Sequence, residues 1–158
     1  RTLKAEFGGE VAFDVVGFYE DAYKEQVDQL VADGVVRFHG FQTDVHPFYE
    51  AADCVVLPSY HEGMSNVLLE GAATGRALIT SDIPGCREAV ENGVSGYLCP
   101  AQDAEGLTQA MRDFAQQSFD RQVQMGQSGR ALVERKFDKQ LVVAKTLDGL
   151  GLPAAVRS

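Results

Sequence analysis

The sequence predicts an α/β fold, a parallel sheet with helices on both faces. Three observations carry that prediction. Short apolar runs of strand length alternate along the chain with segments whose apolar residues recur at helical spacing. Several of the short runs stop at a Gly or Pro, as at Gly17, Pro58 and Pro100, where a strand gives way to a loop. Asp53-Cys54-Val55-Val56-Leu57 is apolar after its first residue, which suits a central parallel strand covered on both faces. With 158 residues, 45% of them hydrophobic, the chain can bury one proper core, and residues 1–158 read as a single domain.

In order, Arg1 to Glu10 is a charged start with helical character that ends at Gly8-Gly9. Val11 to Gly17 reads as a strand with Gly17 at its carboxyl end, and Phe18-Tyr19-Glu20 forms the crest of the next loop. From Asp21 to Ala32, Tyr23, Val27, Leu30 and Val31 share helical spacing, and Asp33-Gly34 ends the element. Val35 to Phe38 is the next strand, with His39-Gly40-Phe41 as its loop. Asp44 is placed to cap a short helix through Pro47, Phe48 and Tyr49 to Ala52, since proline is tolerated in a first turn. After the Asp53–Leu57 strand comes a polar turn, then a helix capped by Ser65 or Asn66 that runs to about Thr74. Ala77 to Thr80 is another strand, Gly85 to Val90 a loop and short helix, and Gly96 to Cys99 a last brief strand. Asp103 opens a helix with Leu107, Ala110, Met111 and Phe114 on one face. Helical patterns fill Arg121 to Arg135 and Lys139 to Leu150, before a loose tail at Gly151-Leu152-Pro153.

Such an alternation is Rossmann-like, and in these sheets ligands lie beyond the carboxyl ends of the strands. Gly17-Phe18, His39-Gly40-Phe41, Ser59 to Ser65 and Ser81 to Gly85 all fall at such ends. The richest chemistry lies between Val55 and Glu70. A helix starting at Ser65 or Asn66 presents unpaired N–H groups and a partial positive charge, a ready seat for a diphosphate. Gly63 lets backbone approach the ligand, and Glu62 and Glu70 bracket the turn as acceptors for sugar hydroxyls. The competing readings are plain ones: Glu70 as an exposed helix acid in an ordinary ion pair, Glu62 as a solvated loop acid, and Ser65 as nothing more than a cap.

Composition excludes other classes. A formal net charge of −9 argues against a nucleic-acid-binding domain. Three cysteines without C-x-x-C spacing read as free thiols in a reducing compartment. No apolar run approaches the ~18 residues needed to span a bilayer, and no signal-peptide pattern opens the chain, so a cytoplasmic domain is expected. No G-x-G-x-x-G follows a strand, which disfavours a dinucleotide-binding oxidoreductase.

Glu62, seven residues and Glu70, within Pro-Ser-Tyr-His-Glu-Gly-Met-Ser-Asn-Val-Leu-Leu-Glu-Gly, resemble the E-x7-E signature of retaining glycosyltransferases with the GT-B fold, family 4 above all. Ala77 to Glu88 and Asn92 to Leu98 extend the likeness, which covers about Val11 to Leu150. The resemblance implies the carboxyl-terminal, donor-binding half of such an enzyme. Glu70 would hold the ribose hydroxyls of the donor, and Glu62, the expected catalytic residue, would contact the transferred sugar near its 3- and 4-hydroxyls. Gly63, Met64, Ser65, Asn66 and Val67 would meet the diphosphate and sugar through backbone amides. Gly17 and the His39-Gly40-Phe41 loop would frame the base, with core packing the competing role for Phe41. Arg87 and Glu88 are expected to pair with each other or to steady the preceding helix, and His61 is as well explained as a surface residue as by contact.

The implied donor is a nucleotide diphosphate sugar, with UDP favoured and GDP and ADP open. The implied acceptor is a glycan or lipid-linked glycan at the inner face of the membrane. Neither a cofactor nor a metal is expected, since the family relies on basic side chains and a helix N-terminus, and no D-x-D occurs. The family's Arg-bearing loop and Lys-Gly are not found before Val11, and Lys4 sits in no such context. The chain therefore reads as a fragment without its first strand–helix unit and without the acceptor domain, inactive alone. A non-catalytic nucleotide-sugar-binding module and a purely structural half-domain stay open as alternatives.

Overall fold

The computed structural model describes residues 1–19 and 21–149. Glu20 in the first loop crest, Leu150 and the expected tail at Gly151-Leu152-Pro153 lie outside the described residues. The elements are α1 (Thr2–Phe7), β1 (Asp14–Val16), α2 (Lys24–Ala32), β2 (Arg37–Gly40), α3 (His46–Ala51), β3 (Cys54–Leu57), α4 (Asn66–Ala73), β4 (Ala77–Ser81), β5 (Gly96–Cys99), α5 (Ala104–Ala115), α6 (Phe119–Phe137) and α7 (Lys139–Gly149). Among the described residues every strand pairing is parallel, and helices flank the strands, as an α/β chain of this pattern requires.

The strands form two sheets, β1-β2 and β3-β4-β5, where the sequence predicts one. β3 is correspondingly an edge strand and not a central one. Among the described residues it hydrogen-bonds to β4 alone, and its four residues are all half-buried, whereas β4, flanked on both sides, is buried at all five positions.

Alternation along the three-stranded sheet sorts its side chains into two cores. Val55, Leu57, Leu78 and Leu98 pack with Leu68 and Ala72 of α4 on one face. Cys54, Val56, Ala77, Ile79, Tyr97 and Cys99 pack with Ala110 and Phe114 of α5 and Met125 of α6 on the other. Helix α6 reaches both cores, with Met125 in one and Val133 in the other. It passes close to the amino-terminal ends of β4 and β5: a Cβ on Gly126 would collide with the Gly75 carbonyl, and one on Gly129 would touch Ser95.

Strand limits in the first sheet differ from expectation for a local reason. The N–H groups of Val35 and Val36 both turn back to the Leu30 carbonyl at the end of α2, so neither joins the ladder. Pairing starts at Arg37, whose N–H donates to Phe13 O at 2.8 Å, and Val11 to Phe13 consequently lie outside β1. His39 and Gly40 belong to β2 and not to its loop, with a register shift opposite Val15 and Val16. At α3 the N-cap position is Val45, not Asp44, although Asp44 Oδ1 still accepts the His46 N–H at 3.0 Å. Asp103 caps α5 as expected, accepting from Glu105 N and Gly106 N. Cys54, Cys86 and Cys99 are free thiols. Among the described residues no helix is long and apolar enough to cross a membrane.

Candidate functional site

The chain leaves β3 at Leu57, turns through residues 58–64 and enters α4. Ser65 is the N-cap: it is buried, and its Oγ accepts from Leu68 N at 3.4 Å. Its own N–H donates to Gly85 O at 3.1 Å. Gly85, at φ 88°, lies so close that a Cβ there would collide with the carbonyls of Gly63 and Glu62. The loops that follow β3 and β4 are thus locked together, and glycine at 85 is required by both dihedral and space.

This arrangement leaves the start of α4 open. Gly63, Met64, Asn66 and Val67 are exposed, and among the described residues none of their N–H groups meets an acceptor. Glu62 is exposed beside them, its Oε1 accepting from Ser59 Oγ at 2.9 Å. Glu70, on the next turn of the helix, accepts through Oε2 from Tyr49 Oη at 3.2 Å. Two carboxylates therefore flank a set of free amides at a positive helix end, the layout for an anion carrying hydroxyl groups on both sides. His61 is exposed and makes no hydrogen bond among the described residues.

The carboxyl ends of β1 and β2 form a second group. Gly17 N donates to Gly40 O at 2.9 Å, with both glycines at positive φ. Phe18 and Phe41 stack with centroids 4.8 Å apart and planes 13° from parallel, at 83% and 59% exposure, so Phe41 is not a core residue. Beneath them His39 Nε2 lies 2.6 Å from Asp14 Oδ1, and Arg37 pairs with the same carboxylate. Burial raises the Asp14 pKa, but its bonds to Arg37 and His39 outweigh that and hold the carboxyl below its usual range. Helix α3 joins the two groups: Phe48 meets the His39 ring edge-on at 4.9 Å, and Tyr49 meets Glu70.

Arg87 and Glu88 do not pair with each other. Arg87 Nε binds Asp82 Oδ1 at 2.9 Å, and Glu88 Oε2 accepts the Gly85 N–H at 2.8 Å, which braces the loop over Gly63. Cys86 is fully buried, and burial, helped by the Glu62 and Glu88 charges and opposed by a hydrogen bond with Thr80, pushes its thiol up. Lys4 lies on α1, which packs on α5 through the Arg112–Glu6 pair. Among the described residues no lysine or arginine bonds to residues 59–67. Residues 60–64, 66 and 67 are all exposed, so this face of the turn is open to solvent.

Tyr49 is the residue that sequence reading passed over. In the sequence it is one residue of a short helix, and the available signal is chemical: a buried phenol needs a partner for its hydroxyl. Nothing in the linear pattern names Glu70 as that partner, 21 residues on.

Comparison with known proteins bears on the fold and the family. The sequence profile described as "Glycosyl transferases group 1" matches residues 1–117. Glycogen synthase of Mycobacterium tuberculosis is 37% identical over 112 residues, covering 70% of this chain and 27% of that protein. Amylovoran biosynthesis glycosyltransferase AmsK of Erwinia amylovora is 29% identical over 153 residues, covering 89% of this chain and 37% of that protein. The crystal structure of Anabaena Alr3699/HepE in complex with UDP-glucose superposes with a TM-score of 0.76 at 22% identity, over 89% of this chain and 41% of that one. The chain thus spans well under half the length of these relatives. The fold is that of the carboxyl-terminal half of GT-B glycosyltransferases. With the profile matching 117 of its 158 residues, the chain belongs to the group 1 glycosyltransferases.

Proposed function

We propose that this chain is the donor-binding domain of a retaining glycosyltransferase. The reaction is transfer of a hexosyl unit from a nucleotide diphosphate sugar to a glycan or lipid-linked acceptor in polysaccharide biosynthesis. One observation carries the reading: the free amides of Gly63, Met64, Asn66 and Val67 at the start of α4, bracketed by Glu62 and Glu70. A diphosphate seated on those amides puts the ribose on the Glu70 side and the transferred sugar on the Glu62 side. Preorganised amides at a helix end stabilise the charge that grows on the leaving diphosphate, and this electrostatic stabilisation is the main source of rate acceleration. Glu62 holds the sugar as it gains positive character. Gly17, Gly40 and Phe41 frame the base, with α3 setting their distance from Glu70. The relatives named glycogen synthase and amylovoran biosynthesis glycosyltransferase favour a polysaccharide product, and the UDP-glucose held by the Anabaena neighbour makes UDP the first nucleotide to test.

The same reading accounts for the divided sheet. Among the described residues β1 and β3 each hydrogen-bond to one strand only, and we assign their open edges to a further parallel strand from a strand–helix unit of a longer chain. That unit would bring the basic residues for the diphosphate, and an acceptor domain would close the cleft at the cytoplasmic face of the membrane. The 158-residue chain alone is expected to be without turnover.

Calorimetric titration with UDP, GDP, ADP and NAD, beside a Glu70→Gln variant, tests the proposal. One nucleoside diphosphate should bind, with affinity falling roughly tenfold or more in the variant, the weight of a charge-assisted hydrogen bond. NAD binding indifferent to Glu70 sinks the reading. If this chain binds nothing, the titration moves to the full-length protein, and failure there rejects it too.

A further inference from the structure

We infer that Tyr49 is a positioning residue for donor binding: its hydroxyl holds the Glu70 carboxylate in the orientation that receives the ribose hydroxyls. The inference rests on the proposed ribose role of Glu70. Glu70 is exposed, and a glutamate on an open helix surface samples several rotamers whose freedom must be given up on binding. Tyr49 is 8% exposed, so its ring is fixed by packing before any ligand arrives. Its Oη donates to Glu70 Oε2 at 3.2 Å, which leaves Oε1 and the remaining lone pairs of Oε2 for ribose. The phenol stays a donor at any working pH, because burial, then the Glu70 charge and the bond itself, push its pKa up to about 12.

The helix that carries Tyr49 also reaches the base-framing loop. Phe48, the preceding residue, packs edge-on against His39, next to Gly40 and Phe41. Successive side chains of a helix diverge by about 100°, so α3 grips the β2 end with one residue and Glu70 with the next. A single short helix thereby sets the separation between the base-framing loop and the ribose carboxylate.

Titration of UDP and of 2′,3′-dideoxy-UDP against the full-length protein tests this, using wild type, Tyr49→Phe, Glu70→Gln and the double variant. Tyr49→Phe keeps the ring and loses only the hydroxyl. It should weaken UDP roughly three- to tenfold, as loss of one hydrogen bond does, leave the dideoxy nucleotide unchanged, and add nothing in the Glu70→Gln background. Equal weakening of both nucleotides, or an unchanged UDP affinity, overturns the positioning role while the ribose role of Glu70 stands. Should GDP or ADP be the nucleotide that binds, it and its dideoxy form take the place of UDP; an unchanged affinity in Glu70→Gln, or no binding of UDP, GDP or ADP by wild type, overturns both.

Discussion

β4 and β1 are both short parallel strands that run into a loop at their carboxyl ends, yet β4 is buried at all five positions while Asp14 and Val15 of β1 are exposed. The difference lies in what surrounds them. β4 has β3 and β5 on its edges, α4 on one face and α5 and α6 on the other. β1 has β2 alone on its edges, and α2 packs on β2. A parallel strand is buried by its neighbours and not by its own composition, and two parallel strands without further partners make a weak unit. The half with the complete surroundings carries the stability, and the other half supplies exposed surface at its strand ends.

Truncation should expose this contrast most strongly. Leu78→Ala empties a fully buried position in β4 and should cost about 2–5 kcal/mol in denaturant unfolding. Val15→Ala, at a 40% exposed position in β1, should cost under about 1 kcal/mol in the same experiment. Equal losses would refute the division into a strong and a weak half.

Ser65→Ala comes next, at about 1 kcal/mol, the usual weight of an N-cap. Because Ser65 N is tied to Gly85 O and its Oγ to Leu68 N, amide exchange should quicken first at the start of α4. Faster exchange throughout the chain with α4 unaffected would contradict a local capping role.

The smallest effect concerns acid. Asp14 is held below its usual pKa in the folded state, so its contribution is fully present above the unfolded carboxylate value and fades as pH falls through the lowered one. Its pairs are partly solvent-exposed, so the loss should be slight and reduced by salt. Wild type should lose protection in β1 and β2 on acidification through the carboxylate range, and Asp14→Asn should show less of that dependence. Identical acid profiles would mean that the Arg37–Asp14–His39 cluster adds nothing to the weak half.

Much of the second half could be read from residue order alone. Pro58 and Pro100 end strands, Ser65 and Asp103 begin helices, and the Gly96–Cys99 strand falls where its apolar residues place it. Local chemistry decides these boundaries, since a cap or a proline acts within a few residues. The first half was less legible. Val35 and Val36 look like strand residues, but the Leu30 carbonyl claims both of their N–H groups. The candidate site divides in the same way: the Glu62–Glu70 spacing and the capped helix between them are local, whereas Tyr49 became visible only once folding had placed its hydroxyl against Glu70.

By itself, then, the sequence determined the alternating α/β order, a helix start at Ser65 or Asn66 and the two carboxylates that bracket it, because spacing, capping and turn chemistry are properties of short stretches. Only the tertiary structure decided that Gly85 closes on Gly63, that Phe41 stacks in the open on Phe18, and that Tyr49 reaches Glu70. Each of these is a meeting of residues remote in sequence, set by which strand edges and helix faces find partners, and no local pattern encodes that.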